Sequence, residues 1–109
     1  MLKLYPVILD FVSDVAPLIA RISRRDPDLA RQLRRSSAAV ALNTAEGMYA
    51  QGRSRSHCYG IALREMRESY AALEVAVRLG YLAPLSPALE ARVRRILGTL
   101  VRLSFPRAA

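Results

Sequence analysis

Apolar residues recur at alternating steps of three and four along nearly the whole chain, in four runs separated by short polar breaks. Residues so spaced share one face of an α-helix, whereas strand residues alternate every second position. Leu4, Ile8, Phe11, Val15, Leu18 and Ile22 make the first run, with Val7, Val12 and Ile19 widening it. The spacing predicts a helix over about residues 4–24, and Pro17 predicts a kink or division of it near Ala16. Asp26-Pro27-Asp28 starts the second helix: Asp caps, Pro takes the first position, and a second acid favours the positive end of the helix dipole.

The second helix is expected over 27–49. At 100° per residue, Leu29, Leu33, Val40, Thr44 and Met48 fall on one side, with Ser36 and Ser37 on or beside it. The middle of that stripe is therefore small and partly polar, which lets another helix approach closely. Arg31, Arg35, Leu42 and Glu46 fall roughly opposite, so a large leucine faces the wet side. Gln51-Gly52-Arg53-Ser54 reads as a turn with Ser54 as cap, and the third helix as 55–79. Its core stripe includes Tyr59, Leu63, Met66, Tyr70 and Leu73. A second, narrower stripe of Ile61, Ala72, Val75 and Leu79 has Glu68 in its middle. A helix apolar on two sides touches two things, so the second stripe reads as a subunit interface. Gly80 ends this helix, and Ser86-Pro87 opens a fourth over 87–103.

Four amphipathic segments with short connections make an all-α, antiparallel up-down-up-down four-helix bundle in a single domain, 1–109. Apolar residues make up 52% of 109, more than a domain this small hides easily, which predicts self-association. Basic residues number 17 against 9 acidic, a net charge of +8, and only Lys3 among the basic residues is not arginine. Arginine offers a planar, permanently charged, bidentate donor to phosphate, which makes RNA or DNA a candidate partner. The candidates are Arg31, Arg34, Arg35, Arg53 and Arg55 along the second helix and its turn, and Arg92, Arg95 and Arg102 on the fourth. Solvated faces and arginine–carboxylate pairs are the alternative use of the same residues. One cysteine, no run of about 18 apolar residues and no cleavable leader pattern predict a cytoplasmic protein without a membrane span.

Catalytic chemistry finds little support. His57 and Cys58 are adjacent, so on a helix they point about 100° apart, and no further His or Cys completes a zinc site or nucleophile–base pair. None of Glu46, Glu65, Glu68 and Glu74 has a histidine three residues on, which disfavours the carboxylate metal sites of bundles. The glutamates read as partners of arginine, and no enzyme activity, cofactor or metal is expected. Glu46 lies at the negative end of its helix dipole and so needs a donor, from backbone or from an arginine of another helix or subunit.

The run Arg34-Arg35, Asn43, Ala45-Glu46-Gly47, Arg53-Ser54, Ile61-Ala62, Glu68 and Leu79-Gly80-Tyr81-Leu82 resembles the bacterial four-helix-bundle proteins encoded in intervening sequences of large-subunit ribosomal RNA genes. The match covers about residues 27–82; it departs at Ala41, where the family often has proline, and at Arg64-Glu65, which replaces a Gly-Ser pair. The resemblance implies a ring-like homopentamer with no established catalysis; Asn43, Glu46 and Gly47, and Ile61, Glu68, Ala72, Val75 and Leu79 of the second stripe, are read as structural and assembly residues. A related group, the accessory proteins of diversity-generating retroelements, implies as the alternative partners a reverse transcriptase and nucleic acid.

Overall fold

The computed structural model describes residues 2–106. Four helices follow in order: α1 Leu4–Ser23, α2 Pro27–Tyr49, α3 Gly52–Arg78 and α4 Pro87–Ser104. Among the described residues there is no strand. Each helix packs on its chain neighbours and α1 returns to α4, closing an antiparallel four-helix ring. The most extensive pairing is α2 with α3.

The core follows the apolar runs. Ile8, Phe11, Val15 and Ile22 of α1 meet Leu33 and Val40 of α2, Met66 and Leu73 of α3, and Val93, Ile96 and Leu100 of α4, all but sealed from water. Between α2 and α3 the filling is small. Ser36, Ser37, Thr44 and Ser69 are buried, and each hydroxyl reaches a carbonyl of its own helix. Ser36 and Ser69 also meet each other across the seam at 2.7 Å. Small side chains thus bring the two backbones close without leaving a polar group unpaired.

Gly47 is a point of close approach in this seam. A Cβ there would lie 2.7 Å from Cε1 of Tyr59, whose ring is 3% exposed, so the α2–α3 crossing needs a residue without a side chain. At the far end of α3, Gly80 takes φ +80°. Its amide donates to the Val77 carbonyl and that of Tyr81 to the Ala76 carbonyl, the paired bonds of a Schellman stop. Tyr81 then lies under the Arg25 guanidinium, 5.2 Å from its ring centre, joining the α3–α4 connection to the α1–α2 turn. Asp26 and Ser86 cap α2 and α4 by accepting from the amides of Leu29 and Leu89.

Two local expectations are corrected, the division of α1 at Pro17 and the start of the third helix. Pro17 neither divides α1 nor ends it. It lies on the exposed side, as does Ser13, whose carbonyl loses its helical donor and faces water. The third helix starts at Gly52, not at residue 55, and Ser54 is no cap. Gly52, at φ +57°, completes the reversal, so Arg53 and Ser54 are already helical behind Gln51. The other helix limits differ from expectation by one residue or none.

Candidate nucleic-acid interface

The eight candidate arginines do not form one face. Arg31, Arg34 and Arg35 lie on the outer arc of α2, Arg53 and Arg55 at the end of the bundle made by the α2–α3 turn, and Arg92, Arg95 and Arg102 along α4. The α4 flank looks towards α1, because Arg92 pairs there with Asp14 in a half-buried bridge.

Their partners divide them further. Arg35 donates to Glu65 at 3.0 Å and to both carboxylate oxygens of Glu68 at 2.7 and 2.8 Å. The Glu68 hydrogen bonds, and then the charge of Glu65, push the guanidinium pKa further above its ordinary value. This cation is already spent on α3, as the arginine–carboxylate reading of Glu65 and Glu68 anticipates. Arg31 pairs with Asp28 at 3.1 Å on an open surface, where such a pair adds little stability and opens readily. Arg102 reaches the Thr99 hydroxyl at 3.2 Å. Arg55 spends Nε on the Ala50 carbonyl at 2.9 Å, bracing the end of α2. Arg34, Arg53 and Arg95 are exposed and have no ion pair or side-chain hydrogen bond among the described residues. Unneutralised guanidinium groups are the ones able to exchange counterions for phosphate.

The residues assigned to structure and assembly also separate. Asn43 bonds back to the Ala39 carbonyl at 2.9 Å and Gly47 receives the Tyr59 ring, both within the chain. Ala72 is buried inside the bundle, and Ile61 and Glu68 are half-buried. Val75 and Leu79 are open, at 45% and 53%, and Leu42 on α2 is 69% exposed. The second apolar stripe of α3 is therefore exposed mainly at its carboxyl-terminal end. Glu46 is exposed, and its expected donor is not found among the described residues. Arg35 lies on the same arc about 16 Å away at 1.5 Å per residue and is held by α3.

Two exposed aromatics were not singled out by the sequence pattern. Tyr49 is 86% and Phe105 71% exposed, at the last residue of α2 and just past the end of α4. Tyr49 borders a cavity of about 440 Å³ with Leu2, Met48, Arg55 and Tyr59. Phe105 borders another of about 420 Å³ with Arg53, His57 and Arg64. The available signal was Tyr49 seven residues beyond Leu42, on the same outer arc.

Among the described residues, no group of three or more His, Cys, Asp or Glu is placed to hold a metal ion. None of their helices is long and apolar enough to cross a membrane.

Residues 2–101 match the family model described as 23S rRNA-intervening sequence protein. The chain belongs to that family. A crystal structure of a protein of unknown function from the S23 ribosomal protein family of Bacteroides thetaiotaomicron has the same fold, with a TM-score of 0.82. At 21% identity over 93% of this chain and 97% of that one, the likeness speaks for the bundle alone. No curated protein sequence matches the chain. The family match extends over the outer helices as well, where the motif string of residues 27–82 does not reach.

Proposed function

We propose that this member of the intervening-sequence family is a non-enzymatic cytoplasmic protein that assembles with itself, as a homopentamer, and binds nucleic acid without sequence preference through its arginine-rich surfaces. The observation that carries the reading is the set of exposed candidate arginines with neither an ion pair nor a side-chain hydrogen bond among the described residues, Arg34, Arg53 and Arg95, on a chain of net charge +8. Assembly is supported by the open apolar residues Leu42, Val75 and Leu79, which are costly to leave in water on so small a domain. Repeating each weak phosphate contact around a ring would multiply its effect wherever the geometry lets copies engage one strand together. No side-chain pattern for reading base edges accompanies the charge, so discrimination between sequences is weak and salt dependence strong.

Light-scattering mass combined with titration of a labelled RNA and a labelled DNA at two salt concentrations tests the reading. A mass of five protomers and affinity that falls steeply with salt are expected. A monomeric mass, or no binding at low salt, refutes the corresponding half. The same apolar residues also suit a protein partner, which is the accessory-subunit alternative; a neighbouring reverse-transcriptase gene would favour it.

A further inference from the structure

The two ends of the bundle differ in charge. At the end holding the α1–α2 turn and the α3–α4 connection, arginines are interspersed with Asp26, Asp28, Glu74 and Glu90. The other end gathers Lys3 before α1, Arg53 and Arg55 at the start of α3, and Arg102 in the last turn of α4. Glu46 is its nearest acid on α2, and from Gly47 to Arg64 the sequence holds three arginines, one histidine and no acid. No side chain caps α3 here, so its first-turn amides have no side-chain acceptor.

The same end carries the two most exposed aromatic rings of the large apolar side chains, and each has a cation beside it. Tyr49 shares its cavity with Arg55 on one flank of α3. Phe105 shares its groove with Arg53 and Arg64 on the other, beside the exposed ring of His57. Gly60 lies in that second groove, and a Cβ there would meet nothing within 4 Å, so its floor stays open. An exposed aromatic ring offers a large flat face on which a partner can stack. Flat rings next to unneutralised guanidinium groups suit unpaired bases on a charged backbone, since every base has a π-face and every linkage a phosphate. A duplex keeps its bases stacked internally and offers them no such contact.

We infer that the α2–α3 end of the bundle is a single-strand nucleic-acid site, in which Tyr49 and Phe105 stack on bases while Arg53 and Arg55 hold the phosphates between them. This rests on the nucleic-acid reading above and narrows it to one polymer form and one end of the molecule. The arginines supply affinity that salt weakens; the rings supply the preference for unpaired bases.

The test uses the full chain and fluorescein-labelled oligothymidine, with a duplex of equal length as comparator. Variants Tyr49→Leu and Phe105→Leu keep apolar area but remove the π-face, and both positions are exposed enough for leucine to leave the bundle folded, as circular dichroism would verify. The wild type should bind the single strand more tightly than the duplex, and each leucine should weaken single-strand binding by roughly fivefold or more while sparing the duplex. Arg53→Gln with Arg55→Gln should weaken both and flatten the salt dependence. Leucine variants that bind the single strand like wild type overturn the inference but leave the nucleic-acid reading standing. A fall in light-scattering mass in those variants also overturns it, by placing the rings between subunits. A wild type that binds neither probe removes both readings.

Discussion

Replacing Gly47 by alanine sets two effects of opposite sign against each other. In a helix interior, alanine is favoured over glycine by about 1 kcal/mol. Against this, the new Cβ would lie 2.7 Å from Cε1 and 3.0 Å from Cδ1 and Cζ of Tyr59. Carbon atoms pack best at about 3.5–4.0 Å, so the ring would have to withdraw by nearly 1 Å. It has little room to do so, because Tyr59 is 3% exposed and lies against the core. Overpacking of this kind costs about 1–3 kcal/mol, so Gly47→Ala should be destabilising by roughly 1 kcal/mol net. For a domain of this size that is a melting temperature lower by about 4–8 °C. Thermal denaturation at one fixed protomer concentration measures it, since assembly would otherwise move the midpoint. Two controls isolate the cause. Gly60→Ala adds a Cβ that meets nothing within 4 Å, and should stabilise. In a Tyr59→Leu background the sign at position 47 should reverse, because the ring is gone and only helix propensity remains. A Gly47→Ala protein as stable as wild type, or a penalty unchanged by removing the ring, would refute the close-approach argument.

Gly80→Ala should also destabilise, by about 1–2 kcal/mol, because φ +80° is strained for a residue with a Cβ; urea denaturation would show the loss, and an unchanged midpoint would contradict it. Stability should fall at alkaline pH. Tyr70 donates to Glu90 at 2.7 Å, and that bond first, then burial, pushes its pKa up; burial does the same for Tyr59. Phenols raised on folding stabilise fully below their unfolded pKa of about 10, and that contribution disappears as pH rises through the folded values. The stability gap between wild type and Tyr70→Phe should therefore close above about pH 10, and a gap constant with pH would sink the assignment.

The fold was legible because each helix carries its own evidence. Asp26-Pro27 and Ser86-Pro87 mark starts by a hydroxyl or carboxylate ahead of a proline, and both side chains do cap. Leu42 on the outer arc of α2 and Ser36 on the inner side follow from helix geometry alone, and they are 69% and 0% exposed. Less was legible where tertiary position decides. Pro17 marks a local break, yet its side of the helix faces water and the break costs little. Gly47 carries no periodic signal; only the position of Tyr59 on another helix explains it. The candidate site divides in the same way. Arginine content predicts a basic surface, but whether a given arginine is free depends on a carboxylate 30 residues or more away, as with Arg35, Glu65 and Glu68. Tyr49 shares the outer arc of Leu42 but is the last residue of α2, and Phe105 stands past the end of α4, where no repeat exists to say which way a ring points.

The meeting of Ser36 and Ser69 has a consequence for how α2 and α3 find each other. A seam lined by small residues could slide by a turn, about 5.4 Å, with few steric objections. Each serine would keep its own-helix carbonyl after such a slip, yet the 2.7 Å hydroxyl contact would be lost and both groups would face apolar neighbours. Losing a buried hydroxyl bond costs about 1 kcal/mol, enough to favour one alignment several-fold over its neighbours. The pair works as an index mark, telling two smooth helices where to stop.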